Sequence, residues 1–272
     1  MIRLKKIVPA ILLSIMLLAC KKQSNTPVYN DQPVIEGYLQ ANNYASVKIS
    51  RQIASSSNVI YANNNIDSLV ITIMDIDTIH QLMPIGNGTY VDTNLIIKEG
   101  MEYTLQFIYN NKLVNASTTI PYLPQNYSQS ATELSVQKID ANTTFTPGSF
   151  QMNDPIELKW SNPDNSYFMI IAENMESNPT LIRDTTDSRF QVRSFRNEPA
   201  IINTYSIRDQ QFQYFGRHRL TLYHLNPDYA ALYNNNSNSS QNLTNPTTNI
   251  TNGLGIFTGI SSDTLYLQIN QK

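Results

Sequence analysis

Residues 103–109 read Tyr103-Thr104-Leu105-Gln106-Phe107-Ile108-Tyr109, and a large apolar side chain occupies every second position from Tyr103 onward. Because successive side chains of an extended chain point to opposite sides, this period of two collects the aromatic and aliphatic groups on one face. Threonine and glutamine fall on the other face. The stretch therefore predicts a half-buried β-strand whose apolar face lies in a core.

The same alternation recurs along most of the chain, for example at Val47 and Ile49, at Leu69, Ile71 and Ile73, at Ile156, Leu158 and Trp160, and at Leu265, Leu267 and Ile269. Clusters of asparagine, glycine and proline separate these runs and are typical of turns. A helix is predicted near residues 227–233, where Asn226 suits the cap and Pro227 the first turn. The sequence thus predicts an all-β fold.

The domain organisation is read from a break in the alternation. Residues 122–129 carry proline and no periodicity, so we predict a linker there between an N-terminal β-sandwich over 33–121 and a C-terminal β-sandwich over 130–272. An Asn-rich loop is predicted over 234–252. Trp160 followed by the apolar run 167–171 resembles adjacent strands of immunoglobulin or fibronectin III-like sandwiches, so two tandem domains of that kind are expected.

The first residues have the pattern of a secretory signal. Basic residues precede an apolar run over 7–18, which at about twelve residues is too short to span a bilayer. The run ends in Leu17-Leu18-Ala19-Cys20, which resembles the bacterial lipobox, and Cys20 is the only cysteine of the chain. We therefore predict a lipoprotein signal peptide over 1–19, a diacylglycerol on Cys20, and a lipidated tether over 20–32.

Localisation and cofactor follow from this lipid. Two or more acyl chains hold a protein firmly at a membrane, and we expect anchoring in the outer membrane, with the periplasmic and the surface face both left open. No cofactor is expected apart from the covalent lipid on Cys20. A formal net charge of -2 disfavours a nucleic-acid partner, which would require a strongly basic face.

No catalytic residue and no metal site are predicted. The sequence has no Gly-x-Ser-x-Gly elbow, and its only cysteine is assigned to the lipid. His218 and His224 are six residues apart in one predicted strand, which separates them by about 20 Å and prevents a shared metal ion.

A recognition patch is predicted where arginines alternate with aromatic residues. One locally basic span contains Arg193, Arg196, Arg217, Arg219 and Tyr214. Guanidinium groups and aromatic rings together suit an anionic or a sugar ligand. The alternative is a set of exposed strand faces over an aromatic core.

The C-terminal run over 245–257, from Asn245-Pro246 through Gly253 and Gly255 to Phe257, is the most specific motif in the body. From the residues alone it predicts a structural turn that packs the last hairpin, with a recognition loop as the alternative. Together with Pro33–Leu39 and Asp154–Trp160, it resembles the domain of unknown function 4249 family, a group of Bacteroidetes lipoproteins. The resemblance covers about residues 30–272.

That resemblance implies a role, since the family is associated with TonB-dependent outer-membrane transporters. We therefore expect a non-enzymatic accessory module for binding or assembly beside such a transporter. A surface adhesin or structural lipoprotein is the alternative, and a hydrolase acting on glycans or peptides is a third and less favoured one.

Overall fold

The computed structural model describes residues 31–52, 65–140, 143, 153–187, 191–234 and 247–272. The predicted signal peptide, Cys20 and the tether up to residue 30 lie outside the described residues, as do Asn245 and Pro246. The strands are β1 (Pro33–Gln40), β2 (Tyr44–Arg51), β3 (Ile71–Met74), β4 (Ile79–Gly86), β5 (Thr89–Ile96), β6 (Glu102–Tyr109), β7 (Lys112–Thr119), β8 (Gln125–Gln129), β9 (Glu133–Val136), β10 (Ile156–Ser161), β11 (Tyr167–Asn174), β12 (Ser194–Arg196), β13 (Thr204–Ile207), β14 (Gly216–Leu225) and β15 (Leu254–Gln271).

The α-helix expected near 227–233 is present as α1 (Pro227–Asn234). The carbonyl of Asn226 accepts hydrogen bonds from the backbone N–H groups of Tyr229 and Ala230, at 3.1 and 3.3 Å. Proline fits at the first helical position because its missing N–H has no partner there in any helix. Among the described residues, no helix has both the length and the hydropathy needed to cross a bilayer.

The strands of the described chain form two sheets. The larger runs in the order β12-β11-β14-β15-β1-β2-β5-β4-β3-β6-β7, with β9 beside β15, and the smaller runs β13-β10-β8. Within the larger sheet, β4 changes its partner along its length: its first residues pair with β3 and its last residues pair with β5. The prediction of an all-β fold built from sandwich-like sheets is confirmed.

Two hydrophobic cores lie inside these sheets. The first includes the apolar face of β6, with Tyr103, Leu105 and Phe107 all buried. The second lies between the two sheets, where Trp160 of β10 contacts Phe168 of β11 with ring centroids 5.6 Å apart. Burying such rings supplies the main free energy that favours folding.

The final strand links the two cores. β15 has 18 residues; its first part pairs in parallel with β1 and its later part pairs antiparallel with β14. Phe257 accordingly packs in the first core and Leu267 in the second. β15 therefore contributes to both cores, although the sequence predicts two consecutive sandwiches over 33–121 and 130–272. Residues 32–272 form one compact unit.

The structure differs from the predicted linker over 122–129, because residues 125–129 form β8. Tyr127 is buried there, its ring meets Trp160 edge-on at 6.4 Å, and its hydroxyl donates to the carbonyl of Leu220 at 3.2 Å. A single inward tyrosine anchors a short strand of otherwise polar residues. That pattern is too short to show a period of two in the sequence.

Candidate functional site

The surface of interest is the outward side of β11, β14 and β15, opposite the second core. Side chains alternate between the two faces of each strand, so Arg217 and Arg219 point outward while His218 and Leu220 point inward. In the strand register, Arg219 lies between Glu173 of β11 and Tyr266 of β15. Cross-strand neighbours at this spacing contact one another directly.

An ion pair and a cation–π contact hold these outward side chains in place. The Arg219 guanidinium donates to Glu173 Oε2 at 2.5 Å, and both side chains are about two-fifths exposed. The Arg217 guanidinium lies over the Tyr266 ring, 4.0 Å from its centroid, and Tyr266 is 45% exposed. Cation–π contact orients the Arg217 guanidinium, and the side chain is exposed and can meet a partner.

Helix α1 covers the neighbouring part of the same sheet. Asp228 accepts hydrogen bonds from Thr258 Oγ1 at 2.8 Å and from Asn249 Nδ2 at 2.6 Å, which fixes the first turn of the helix to β15. Met169 and Thr258 are buried although they point away from the cores. The helix therefore turns an outward sheet face into a third packed layer.

A tyrosine cluster forms where α1 meets β1. The rings of Tyr38 and Tyr229 meet edge-on at 5.9 Å, and Tyr229 and Tyr233 also lie 5.9 Å apart. Arg196 of β12 places its guanidinium 5.6 Å from the centroid of the Tyr233 ring. Burial is the main cause that raises the pKa of Tyr229, and the hydrogen bond with Tyr233 raises it further. Burial also raises the pKa of Tyr38. These hydroxyls stay protonated at neutral pH and can donate hydrogen bonds.

We call this surface the arginine–tyrosine face and define it by Arg196, Arg217, Arg219, Tyr38, Tyr229, Tyr233 and Tyr266. It extends from β12 across β14 and β15 to β1. Tyrosine and arginine combine a rigid apolar body with hydrogen-bonding tips, which suits them to recognition surfaces.

The structure brings together some of the predicted recognition residues and separates others. Arg196, Arg217 and Arg219 share the outward face. Arg193 lies beyond it and donates to the backbone carbonyl of Glu176. Tyr214 is buried and donates to the carbonyl of Gln191 at 3.0 Å, so it does not belong to the face.

The tyrosines of the face were missed by sequence reasoning. Tyr38 precedes Tyr229 by 191 positions, and no local pattern connects them. Tyr229 and Tyr233 did carry a signal, because residues four apart in a helix lie on one side of it.

The C-terminal motif is structural in the described residues. The sequence predicts a structural turn that packs the last hairpin; the structure has a turn at Asn252, and the strand that follows it pairs in parallel with β1. Gly255 has φ +92° and lies directly opposite Ile35, and Phe257 is fully buried in the first core. Gly253 packs against Ile250, and Asn249 closes the segment through hydrogen bonds to both backbone groups of Phe257.

Beneath the face lies a buried polar pair. His218 is 3% exposed, its Nδ1 donates to the carbonyl of Gly216 at 3.1 Å, and its Nε2 lies 3.3 Å from Asn174 Nδ2. A carbonyl acceptor at Nδ1 and an amide donor at Nε2 match the neutral Nδ1–H tautomer. Burial lowers the pKa of His218, since a charged imidazolium is poorly solvated there.

Acid is therefore expected to destabilise the fold through His218. Below the ordinary histidine pKa near 6.5 the unfolded chain binds a proton that the folded chain does not, so the free energy of unfolding falls as pH drops. Urea unfolding of the full chain at pH 7.5 and 5.5 measures this loss. In His218→Gln the difference between the two pH values should shrink; an unchanged difference would contradict the assignment.

The described ranges contain no group of three or more His, Cys, Asp or Glu side chains placed to hold a metal ion.

The fold and the arginine–tyrosine face define the class: an all-β module with a tyrosine-rich outer surface. Residues 23–265 match the family model of DUF4249, a domain of unknown function. The match spans most of the 272 residues, and the chain belongs to this family, as the sequence resemblance indicated.

No curated protein matches the chain. Among solved structures, the chain is similar to the crystal structure of the FN1–FN3 domains of chicken CNTN1, with a TM-score of 0.30 and 10% identity. The likeness covers 73% of this chain and 61% of that chain, so this chain spans about three fifths of the length of the structure it matches.

Proposed function

We propose that this chain is an outer-membrane lipoprotein that acts without enzymatic activity as an accessory binding module for a TonB-dependent transporter. The arginine–tyrosine face is the observation that carries the proposal. Interfaces between proteins are enriched in tyrosine and arginine, and these residues dominate binding energy when they are held in place.

The face is held in place before any partner arrives. Arg217 is stacked on Tyr266, Arg219 is paired with Glu173, and Asp228 ties α1 to β15. A surface ordered in advance loses little side-chain entropy on binding. The face therefore suits a protein partner that presents acidic and hydroxyl groups.

The lipobox at Leu17–Cys20 supports the location. Acyl chains on Cys20 would confine the body to the membrane that contains the transporter. Such confinement raises the effective concentration of the two proteins, so that a weak contact suffices for a stable complex.

The proposal is tested by affinity purification of the tagged full chain from native membranes. The expected result is recovery of a TonB-dependent transporter in near-stoichiometric amount. In the double variant Arg196→Glu and Arg217→Glu, recovery should fall at least about tenfold, because reversing two interface arginines costs several kcal/mol.

Lys159→Glu provides the matched control, since Lys159 is an exposed cation on β10 in the other sheet. Its recovery of the transporter should equal that of the unaltered chain. If the arginine double variant recovered as much transporter as the unaltered chain, the arginine–tyrosine face would not be the binding surface. If the unaltered chain recovered no transporter, a transporter would not be the partner.

A further inference from the structure

A cleft on a different part of the surface has the features of a ligand site. It consists of two adjoining hollows of about 350 and 390 Å³, both lined by Tyr122, Asp164, Ser166 and His224. One wall is the connection between β7 and β8, and the other is the turn between β10 and β11. Hollows of this size accommodate a small ligand or one side chain of a larger one.

The aromatic wall of the cleft is fixed. The backbone carbonyl of Tyr122 accepts hydrogen bonds from His224 Nδ1 at 2.8 Å and from Ser261 Oγ at 2.7 Å. The Tyr122 ring lies against Gly100, where an added Cβ would come within 2.9 Å of it. Tyr122 as a residue is nevertheless 66% exposed, so its aromatic side chain is accessible to a ligand.

The floor of the cleft is an imidazole stacked on a buried ring. His224 lies parallel to Phe168, with centroids 4.6 Å and planes 21° apart. Burial lowers the pKa of His224, against the opposing effects of the Tyr122 carbonyl and Asp164, so the ring is neutral at pH 7. Because Nδ1 donates to Tyr122, Nε2 carries the lone pair and is an acceptor.

The opposite wall adds further acceptors. Asp164 lies in a turn that Asn162 closes by accepting from the backbone N–H of Ser166 at 2.8 Å. Glu99 lines one hollow and accepts from the backbone N–H of Leu123 at 2.5 Å. Among the described residues that line the two hollows, there is no lysine or arginine.

We propose that this cleft binds the ammonium or guanidinium group of a ligand. The cation would lie over the Tyr122 ring and donate hydrogen bonds to Asp164 and to His224 Nε2. Acceptors, carboxylate charge and an open aromatic face together favour a donor-rich cation over an anion or an apolar group. The site is separate from the arginine–tyrosine face, and either can fail without the other.

The chain contains its own reporter for this test. It has three histidines, so the ring-proton NMR spectrum of the full chain in detergent shows few signals, and His224→Gln identifies the one that belongs to the cleft. N-acetyl-arginine amide is titrated first, followed by its uncharged isostere N-acetyl-citrulline amide. The arginine probe should shift the His224 signal and bind at least about tenfold more tightly than the citrulline probe.

Asp164→Asn should weaken the arginine probe about fivefold or more, because it removes one charge beside the cation. Asp154→Asn removes the same charge from an exposed position outside the cleft and should leave binding unchanged. Equal affinity for the two probes, an unshifted His224 signal, or equal effects of the two variants would overturn the proposal.

Two further probes distinguish the source of the cation. Agmatine is a free guanidinium compound, and an acetylated Gly-Gly-Arg-Gly-Gly amide presents the same group within an extended chain. Tighter binding of the peptide would assign the cleft to a basic segment of a protein, and tighter binding of agmatine would assign it to a small molecule. Failure of both to bind would overturn the site.

Discussion

Replacing Gly255 by alanine is expected to destabilise the protein by about 3 kcal/mol or more, which is large for a single methyl group. A Cβ at this position would lie 2.1 Å from the carbonyl oxygen of Ile35 and 2.9 Å from its nitrogen. Both atoms belong to the backbone of β1, where Ile35 is paired with Gly255, and cannot move without breaking that pairing. The measurement is the free energy of unfolding in urea.

Gly86→Ala provides a matched control for this variant. Gly86 has φ +98°, close to the +92° of Gly255, but no heavy atom lies within 4 Å of its added Cβ. Its alanine variant should therefore lose about 1–2 kcal/mol, the cost of the left-handed conformation alone. If the two variants lost the same stability, the close approach of β1 and β15 would contribute nothing beyond backbone strain.

The Gly255→Ala variant should lose packing in both cores as well as pairing in β15. Phe257 follows two residues later and is fully buried in the first core, and Leu267 of the same strand is buried in the second. Displacing the start of β15 thus loosens both cores. We expect the variant to unfold in one transition, with the loss of signal from Trp160 in the second core coinciding with the loss of β-sheet circular dichroism.

Replacing Cys20 by alanine is expected to abolish acylation of the chain. The thioether to diacylglycerol needs the thiol of Cys20, and the chain has no other cysteine to replace it. Metabolic labelling with a fatty-acid analogue, followed by mass spectrometry of the purified chain, measures this effect. The unaltered chain should begin at Cys20 and carry the label, and the variant should carry none.

Ser24→Ala changes the tether close to Cys20 without touching the lipobox. Its labelling should equal that of the unaltered chain. Label persisting in the Cys20 variant, or an unmodified Cys20 behind an intact leader in the unaltered chain, would remove the basis for anchoring in the outer membrane. The proposed transporter role would lose its location at the same time.

The strands were predictable because their signal is local. Alternation over 103–109 and over 156–160 shows which face is buried, and both faces are found in cores. Helix α1 was also predictable, since Asn226 and Pro227 act within one turn. The strand β8 was missed because Tyr127 is a single inward residue, and one residue does not make a period.

The arginine–tyrosine face was only partly predictable. Arg217 and Arg219 are two positions apart, so their common face follows from strand geometry alone. Tyr266 joins them because β15 pairs with β14, and Arg196 joins them because β12 pairs with β11. Alternation within a strand shows which of its faces is buried, but it does not specify which strand lies beside it.

The sequence by itself determined the fold class, the strand faces and α1, and it predicts the lipoprotein signal, because each depends on side chains within a few positions of one another. Only the tertiary structure decided that β15 would join both cores, that Tyr38 would meet Tyr229, and that His224 would lie beside Tyr122 and Asp164. Those contacts join distant parts of the chain. They form because burying both cores at once aligns the strands, and the free energy of that packing belongs to the whole chain.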